Sequence, residues 1–255
     1  MAGGELVAVE DTTGRADVAL AERTWKRTAA AYAALGVPIR LPVSLVIEKM
    51  PIMGATESTK DGHRLHVAAH AVSGGMLDGL MAHEAGHMVR IEHQHPSHLP
   101  EVHRRILEAI EIPAKDTRPF ASVARETINH VEDIYADDFS VQVIGRGRNL
   151  APFFSDWIHN SARPGPSRWA TVGNGVTVGF ALGNMARHRI RPEDGVARVA
   201  ETFAREADVP SVSSFADSFR DLPDTDKTAP IERAMRDLLA RVASEGLRSS
   251  RAASQ

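Results

Sequence analysis

The sequence predicts an α+β protein, predominantly helical with a small β-sheet. Two patterns carry that expectation. Short β-branched runs near the N-terminal side (VSLVI at 43–47, RLHVAAHAV at 64–72) read as strands. Longer stretches with apolar residues at helical spacing fill most of the remaining chain. With 255 residues and 43% of them hydrophobic, the chain can bury a sizeable core.

Residues 1–16 read as a loose leader. A helix follows over 17–35, with Val18, Ala21, Trp25, Ala29, Tyr32 and Ala33 at helical spacing, and Gly36 and Pro38 end it. The two strands come next, with a turn at Asp61-Gly62 between them and Ser73-Gly74-Gly75 as a breaker. Met53-Gly54-Ala55 carries no separate signal. A helix over 76–92 precedes a loop marked by Pro96 and Pro100. Further helices are expected at 101–112, 121–144, 149–160, 176–189, 193–206 and 230–244, with Gly145 and Gly147 closing the second of these. The last has Ile231, Met235, Leu238, Leu239 and Val242 along one face. The domain reading is a core at 17–145, a helical extension at 146–245 and a frayed tail at 246–255.

Composition excludes several chemistries. There is no cysteine, which removes disulfides, thiolate metal ligands and cysteine nucleophiles together. Net charge is −3 without a block of like charge, so a nucleic-acid partner is not expected. No basic start followed by an apolar run marks a signal peptide. No stretch reaches the roughly 20 apolar residues that cross a bilayer, so no membrane partner is expected and the expected location is the cytoplasm.

The chemical signal is His83-Glu84-Ala85-Gly86-His87 inside the 76–92 helix. Residues four apart share a helical face, so the two imidazoles can converge on one ion. Glu84, beside the first ligand, can hold and deprotonate a water at that ion. Two histidines and one carboxylate suit zinc and leave a position open for water. In a chain of twelve histidines the motif alone could arise by chance. A third ligand is therefore required. The 121–144 helix offers Glu126, His130, Asp133 and Asp137 at steps of four, three and four, all on one face. A solvated polar face would carry the same residues.

His83-Glu84-Ala85-Gly86-His87 followed by Glu132-Asp133-Ile134-Tyr135-Ala136-Asp137 resembles the gluzincin clan of metallopeptidases. It is most similar to the minigluzincins and the soluble catalytic domains of Ste/HtpX-like proteases. Those carry a second helix with the pattern Glu-x-x-Ala-Asp, in which the Glu binds zinc and the Asp supports a ligating histidine. The resemblance covers roughly 17–145. It implies a zincin-like fold, one zinc per chain, and Asp137 in the supporting place. The ligand place falls on Asp133, not on the family's Glu; the adjacent Glu132 is the alternative. In these families an edge strand beside the active-site helix pairs with extended substrate, and 64–72 is the candidate.

The oxyanion-stabilising group is often a Tyr or His from elsewhere, and Tyr135, His159 and His188 are candidates. His93, His95, His98 and His103 read as a polar loop or as a second metal site. His63, His66 and His70 either line a cleft or mark an exposed strand face. The expected activity is hydrolysis of peptide bonds in a peptide or protein substrate. Two alternatives stay open: a non-catalytic regulatory or protein-binding module, and hydrolysis of a non-peptide amide. C-terminal helices covering the cleft would make the enzyme latent. Oligomeric state is not legible.

Overall fold

A computed structural model describes residues 4–145 and 150–248. The expected tail from 249 onward, the first three residues of the leader, Gly147 and residue 149 lie outside the described residues. Among the described residues the chain is α+β, mostly helical, with one four-stranded mixed sheet. It divides into two units. The first takes the described parts of Met1–His98 and Tyr135–Arg148, the second those of Leu99–Ile134 and Asn149–Gln255. The sequence reading placed residues 99–134 with the N-terminal core; here they group with the C-terminal helices. Side-chain packing explains this. Arg105 pairs with Glu232 at 2.7 Å, and the Trp169 indole donates to Asp116 at 3.0 Å and packs edge-on against Phe120.

In the first unit, β1 (Leu6–Asp11) precedes α1 (Val18–Ala34), capped by the Asp17 side chain accepting from the Leu20 amide. Then come β2 (Val43–Glu48), β3 (Gly54–Thr59), β4 (Gly62–Ala68), the short α2 (Ala69–Ser73) and α3 (Leu77–Glu92). The sheet order is β1-β2-β4-β3, with β1, β2 and β4 parallel and β3 antiparallel to β4. The core gathers Trp25, Tyr32, Leu45, Ile47, Leu65, Met81 and Met88. α5 (Thr117–Ile144) is one continuous helix whose last part belongs to this unit and whose first part belongs to the other.

Three expectations need correction. The leader is not loose: Leu6–Asp11 pairs with β2, and the Trp25 indole holds it by donating to the Gly4 carbonyl at 2.9 Å. Only a partner strand reveals such an edge, because Val7 faces solvent and the alternation is weak. Gly54–Thr59, where no strand is expected and of which Met53-Gly54-Ala55 carries no separate signal, is a strand paired with β4 across a two-residue Lys60-Asp61 turn. The 64–72 run is not the edge. It is the inner strand β4 as far as Ala68 and helical beyond it. β3 is the edge beside α3.

The second unit holds α4 (Pro100–Glu108), the first part of α5, α6 (Ala151–Ser161), α7 (Arg168–His188), α8 (Val196–Glu206), α9 (Val212–Arg220) and α10 (Thr228–Leu247). α7 begins eight residues before its expected start at 176, and α9 was not expected at all. Both follow from the same contact. Glycines at 175, 179 and 183 let α9 lie against α7, and apolar periodicity in α7 is masked because it is buried nearly all round. Ile231, Met235, Leu238, Leu239 and Val242 of α10 are all buried, as their stripe predicts. Glu245, 2% exposed, accepts from Arg168, Ser211 and Arg248, so its charge is compensated on several sides.

Candidate metal centre

α3 sorts its residues by helical face. Leu77, Met81, Ala85, Met88 and Val89 are buried in the core, while His83 and His87 are partly exposed on another face. Two glycines set the distances to that face. A Cβ on Gly54 of β3 would meet Leu80 at 2.7 Å, so the edge strand lies close on α3. A Cβ on Gly86 would meet the Ala136 carbonyl oxygen at 2.5 Å, so α5 lies close on the other side. Arg90, one turn beyond Gly86, donates from Nε to the Tyr135 carbonyl at 2.9 Å and stands 4.3 Å over the Phe139 ring. Close backbone contact and that bond fix the register of α5 on α3.

With that register, Asp137 Oδ1 lies 2.8 Å from His83 Nδ1 and accepts from Ser140 Oγ at 2.8 Å. A carboxylate there fixes the His83 tautomer with the proton on Nδ1 and the lone pair on Nε2. His83 Nε2 and His87 Nε2 stand 3.1 Å apart. Two imidazole nitrogens on one tetrahedral zinc would be separated by about 3.3 Å at ordinary zinc–nitrogen distances. Asp133 sits one turn before Asp137 on the same continuous helix, so its place follows from α5 itself. One ligand atom from each of His83, His87 and Asp133 falls within 4.8 Å of the others. A set of two imidazoles and one carboxylate fits zinc in donor type and number.

Glu84 is 6% exposed, and its Oε2 accepts the Thr56 hydroxyl at 2.8 Å. Nothing in the sequence marks Thr56; its role depends on β3 being the edge strand. His98 was also not singled out within its histidine cluster. Its Nε2 is 2.8 Å from His87 Nδ1.

The remaining candidates have other surroundings. Glu132 lies 3.8 Å from His103, and burial, reinforced by neighbouring Asp133, pushes its carboxyl up to about 8. Glu132 would have to shed that proton to bind a metal, whereas Asp133 is the acid gathered with the histidines. Tyr135 is 1% exposed and packs against His95 and Arg90. His159 is exposed on α6, and His188 Nδ1 meets the Asn184 carbonyl at 3.2 Å; neither belongs to the group around His83. His63 is neither in a cleft nor exposed: it is buried between Ser58 and Glu92. Burial raises the Glu92 carboxyl, but bonds from His63 and from the Leu41 and Arg40 amides outweigh it and hold Glu92 below its usual range. His66 bonds Glu48 at 2.6 Å, and His70 and His93 are exposed. Glu126 and His130, the upper half of the polar line, meet Thr177, and the His130 ring stacks on Phe180 with centroids 4.2 Å apart.

A family model described as "Family of unknown function (DUF5781)" matches residues 28–244, most of the chain. The chain belongs to DUF5781. The matched span includes β3, the whole of α3 and α5, and so every residue of the group just described. No curated protein and no solved structure matches this DUF5781 chain.

Proposed function

We propose that this chain is a zinc-dependent metallopeptidase with a zincin-like core, hydrolysing peptide bonds in a peptide or protein substrate. One observation carries the reading. Two imidazole Nε2 atoms face each other at 3.1 Å while the opposite nitrogen of each ring already has a partner, Asp137 for His83 and His98 for His87. With a proton on each Nδ1, two lone pairs converge on one point, an arrangement that a cation stabilises. His83, His87 and Asp133 would hold the ion.

When bound, zinc supplies a Lewis acid that polarises the scissile carbonyl and lowers the pKa of water to about 7. The chain's own residues do the rest. Glu84 takes the proton from the attacking water as its oxygen bonds to the carbonyl carbon. The same carboxyl then delivers a proton to the departing amine nitrogen as the C–N bond breaks. Thr56 donates to Glu84 Oε2, which aims the carboxylate and leaves its other oxygen for the water. Among the described residues β3 pairs on one side, with β4, so its outer edge can take an extended peptide as an added strand. The placement of Glu84 supports catalysis over a purely structural metal site, which has no use for a base beside its ligands.

The test is metal content with activity. Purified protein is expected to carry about one zinc per chain, the stoichiometry of a single tetrahedral site. Glu84→Gln is expected to keep the metal and lose hydrolysis of a broad peptide library. Protein that neither contains zinc nor takes it up on titration would sink the reading. Full hydrolysis by Glu84→Gln would remove Glu84 from the mechanism.

A further inference from the structure

α3 ends at Glu92, and Gln94 then takes a left-handed backbone conformation with φ of 51°. That conformation is uncommon outside glycine and turns the chain sharply. The His95 amide bonds back to the Arg90 carbonyl at 2.8 Å, and a single helical turn over Pro96–His98 folds against α3. The reversal delivers His98 to His87, eleven residues earlier in the chain.

The result is a line of short contacts leading away from the candidate ligand. His87 Nδ1 lies 2.8 Å from His98 Nε2. His98 Nδ1 lies 2.8 Å from Ser97 Oγ. Ser97 Oγ lies 2.7 Å from His95 Nδ1. Ser97 and His95 are buried, at 0% and 3% exposure, and the His95 ring packs on Tyr135 with centroids 4.5 Å apart.

Imidazoles and hydroxyls can donate or accept, so such a line could run in either direction. One contact decides it. The backbone N–H of Ser97 also points at His95 Nδ1, at 3.4 Å, and a backbone N–H can only donate. His95 Nδ1 is therefore an acceptor, with the proton of that ring on Nε2. The Ser97 hydroxyl then donates to His95 and accepts from His98 Nδ1–H. His98 Nε2 is left as an acceptor and takes the proton of His87 Nδ1–H. The lone pair of His87 is thereby placed on Nε2, toward His83.

We propose that His95, Ser97 and His98 form a positioning relay that sets the tautomer of His87 and so prepares its Nε2 for a metal ion. The relay does for His87, with neutral groups, what Asp137 does for His83 with a carboxylate. The proposal rests on the metal reading above for its purpose, but the tautomer can be read without metal.

The experiment uses the full chain, stripped of metal and then titrated with zinc against a competing chelator. Side-chain 15N NMR of the metal-free protein is expected to show His87 with its proton on Nδ1. Ser97→Ala is expected to mix the two His87 tautomers and to weaken zinc binding about 10- to 100-fold, the usual cost of losing a group that orients a ligand. His98→Ala is expected to weaken it by a similar factor. His98→Gln, which offers an amide oxygen where Nε2 stood, is expected to restore most of the affinity, whereas His98→Leu, of similar bulk but with no acceptor, is not; a merely space-filling role would rank Leu with Gln. Wild-type His87 found with its proton on Nε2 would overturn the relay. So would zinc affinity unchanged in both Ser97→Ala and His98→Ala. Failure of the wild type to bind any zinc overturns the metal reading instead, and with it the purpose assigned to the relay.

Discussion

Two helix pairs in this chain are drawn together by glycine, and they use the closeness differently. In the first unit, Gly86 brings α3 against Ala136 of α5. In the second, Gly175, Gly179 and Gly183 bring α7 against Val212, Phe215, Ala216 and Phe219 of α9. The tightest approaches are equal within about 0.1 Å: a Cβ would stand 2.5 Å from Ala136 O at Gly86 and 2.6 Å from Ala216 O at Gly183. The α7–α9 contact is flanked by Phe180, Phe215 and Phe219, so close packing there gains dispersion and burial. The α3–α5 contact is flanked by His83, Glu84, His87 and Asp137, so close packing there makes polar atoms converge. Glycine spacing thus tells how near two helices come, and the flanking residues tell why.

The comparison can be broken most strongly at the glycines. Gly86→Ala and Gly183→Ala each force a backbone shift. Each is expected to cost about 1–3 kcal/mol of overpacking, offset in part by the ~1 kcal/mol helix-propensity gain of Ala over Gly. Thermal melts of the two should resemble each other. Zinc titration should not: only Gly86→Ala is expected to lose affinity, by a hundredfold or more, about 2.8 kcal/mol at 1.4 kcal/mol per tenfold. Equal zinc affinity in the two variants would mean the α3–α5 spacing does not set the site.

The next test separates the lower and upper halves of the α5 polar line. Asp137→Asn is expected to weaken zinc binding about 10- to 100-fold. Glu126→Gln, which contacts Thr177 instead, is expected to leave it within about twofold. A smaller effect is expected on the strand side of α3. Thr56→Val removes the bond to Glu84 and should lower peptide hydrolysis roughly tenfold, a loss of about 1.4 kcal/mol, with zinc content unchanged. Thr56→Ser should stay near wild type, and a Thr56→Val enzyme of full activity would remove this residue from the site.

The smallest effect is on stability against pH, through Glu92 at the far end of α3. Its carboxyl is held below the ordinary value of 4.5 in the folded state, where His63 and two backbone amides bond it. A depressed folded value means the unfolded chain binds the proton more readily. The contribution is therefore fully present above about 4.5 and is lost as pH falls below it. Denaturant melts of Glu92→Gln and wild type should differ at pH 7 and approach each other below pH 4. A gap that stays constant over that range would show that the bonds to Glu92 do not depend on its charge.

The helices were the most legible part of the fold. The helix expected over 17–35, with Gly36 as its stop, matches α1 within a residue at each end, because helical spacing and breakers act locally. β1 and β3 escaped because each is an edge strand of six residues whose exposed positions dilute the alternation. Taking 64–72 for the edge had the same origin. β4 is the most buried strand after β2 because it lies inside the sheet, and sheet order is not written in local pattern.

The sequence by itself determined that His83, Glu84 and His87 share one turn-and-a-half of a helix, and that Asp133 and Asp137 share a face of another. Both follow from a period of 3.6 residues, which short-range spacing fixes. Only the tertiary structure decided the rest. The contact of Gly86 with Ala136 sets which turn of α5 meets His83 and brings Asp137 to its Nδ1. The left-handed Gln94 returns His98 to His87, and the β3–β4 pairing brings Thr56 to Glu84. Each of these joins residues on different elements, at distances set by backbone reversal and close packing, and those are properties of the folded chain.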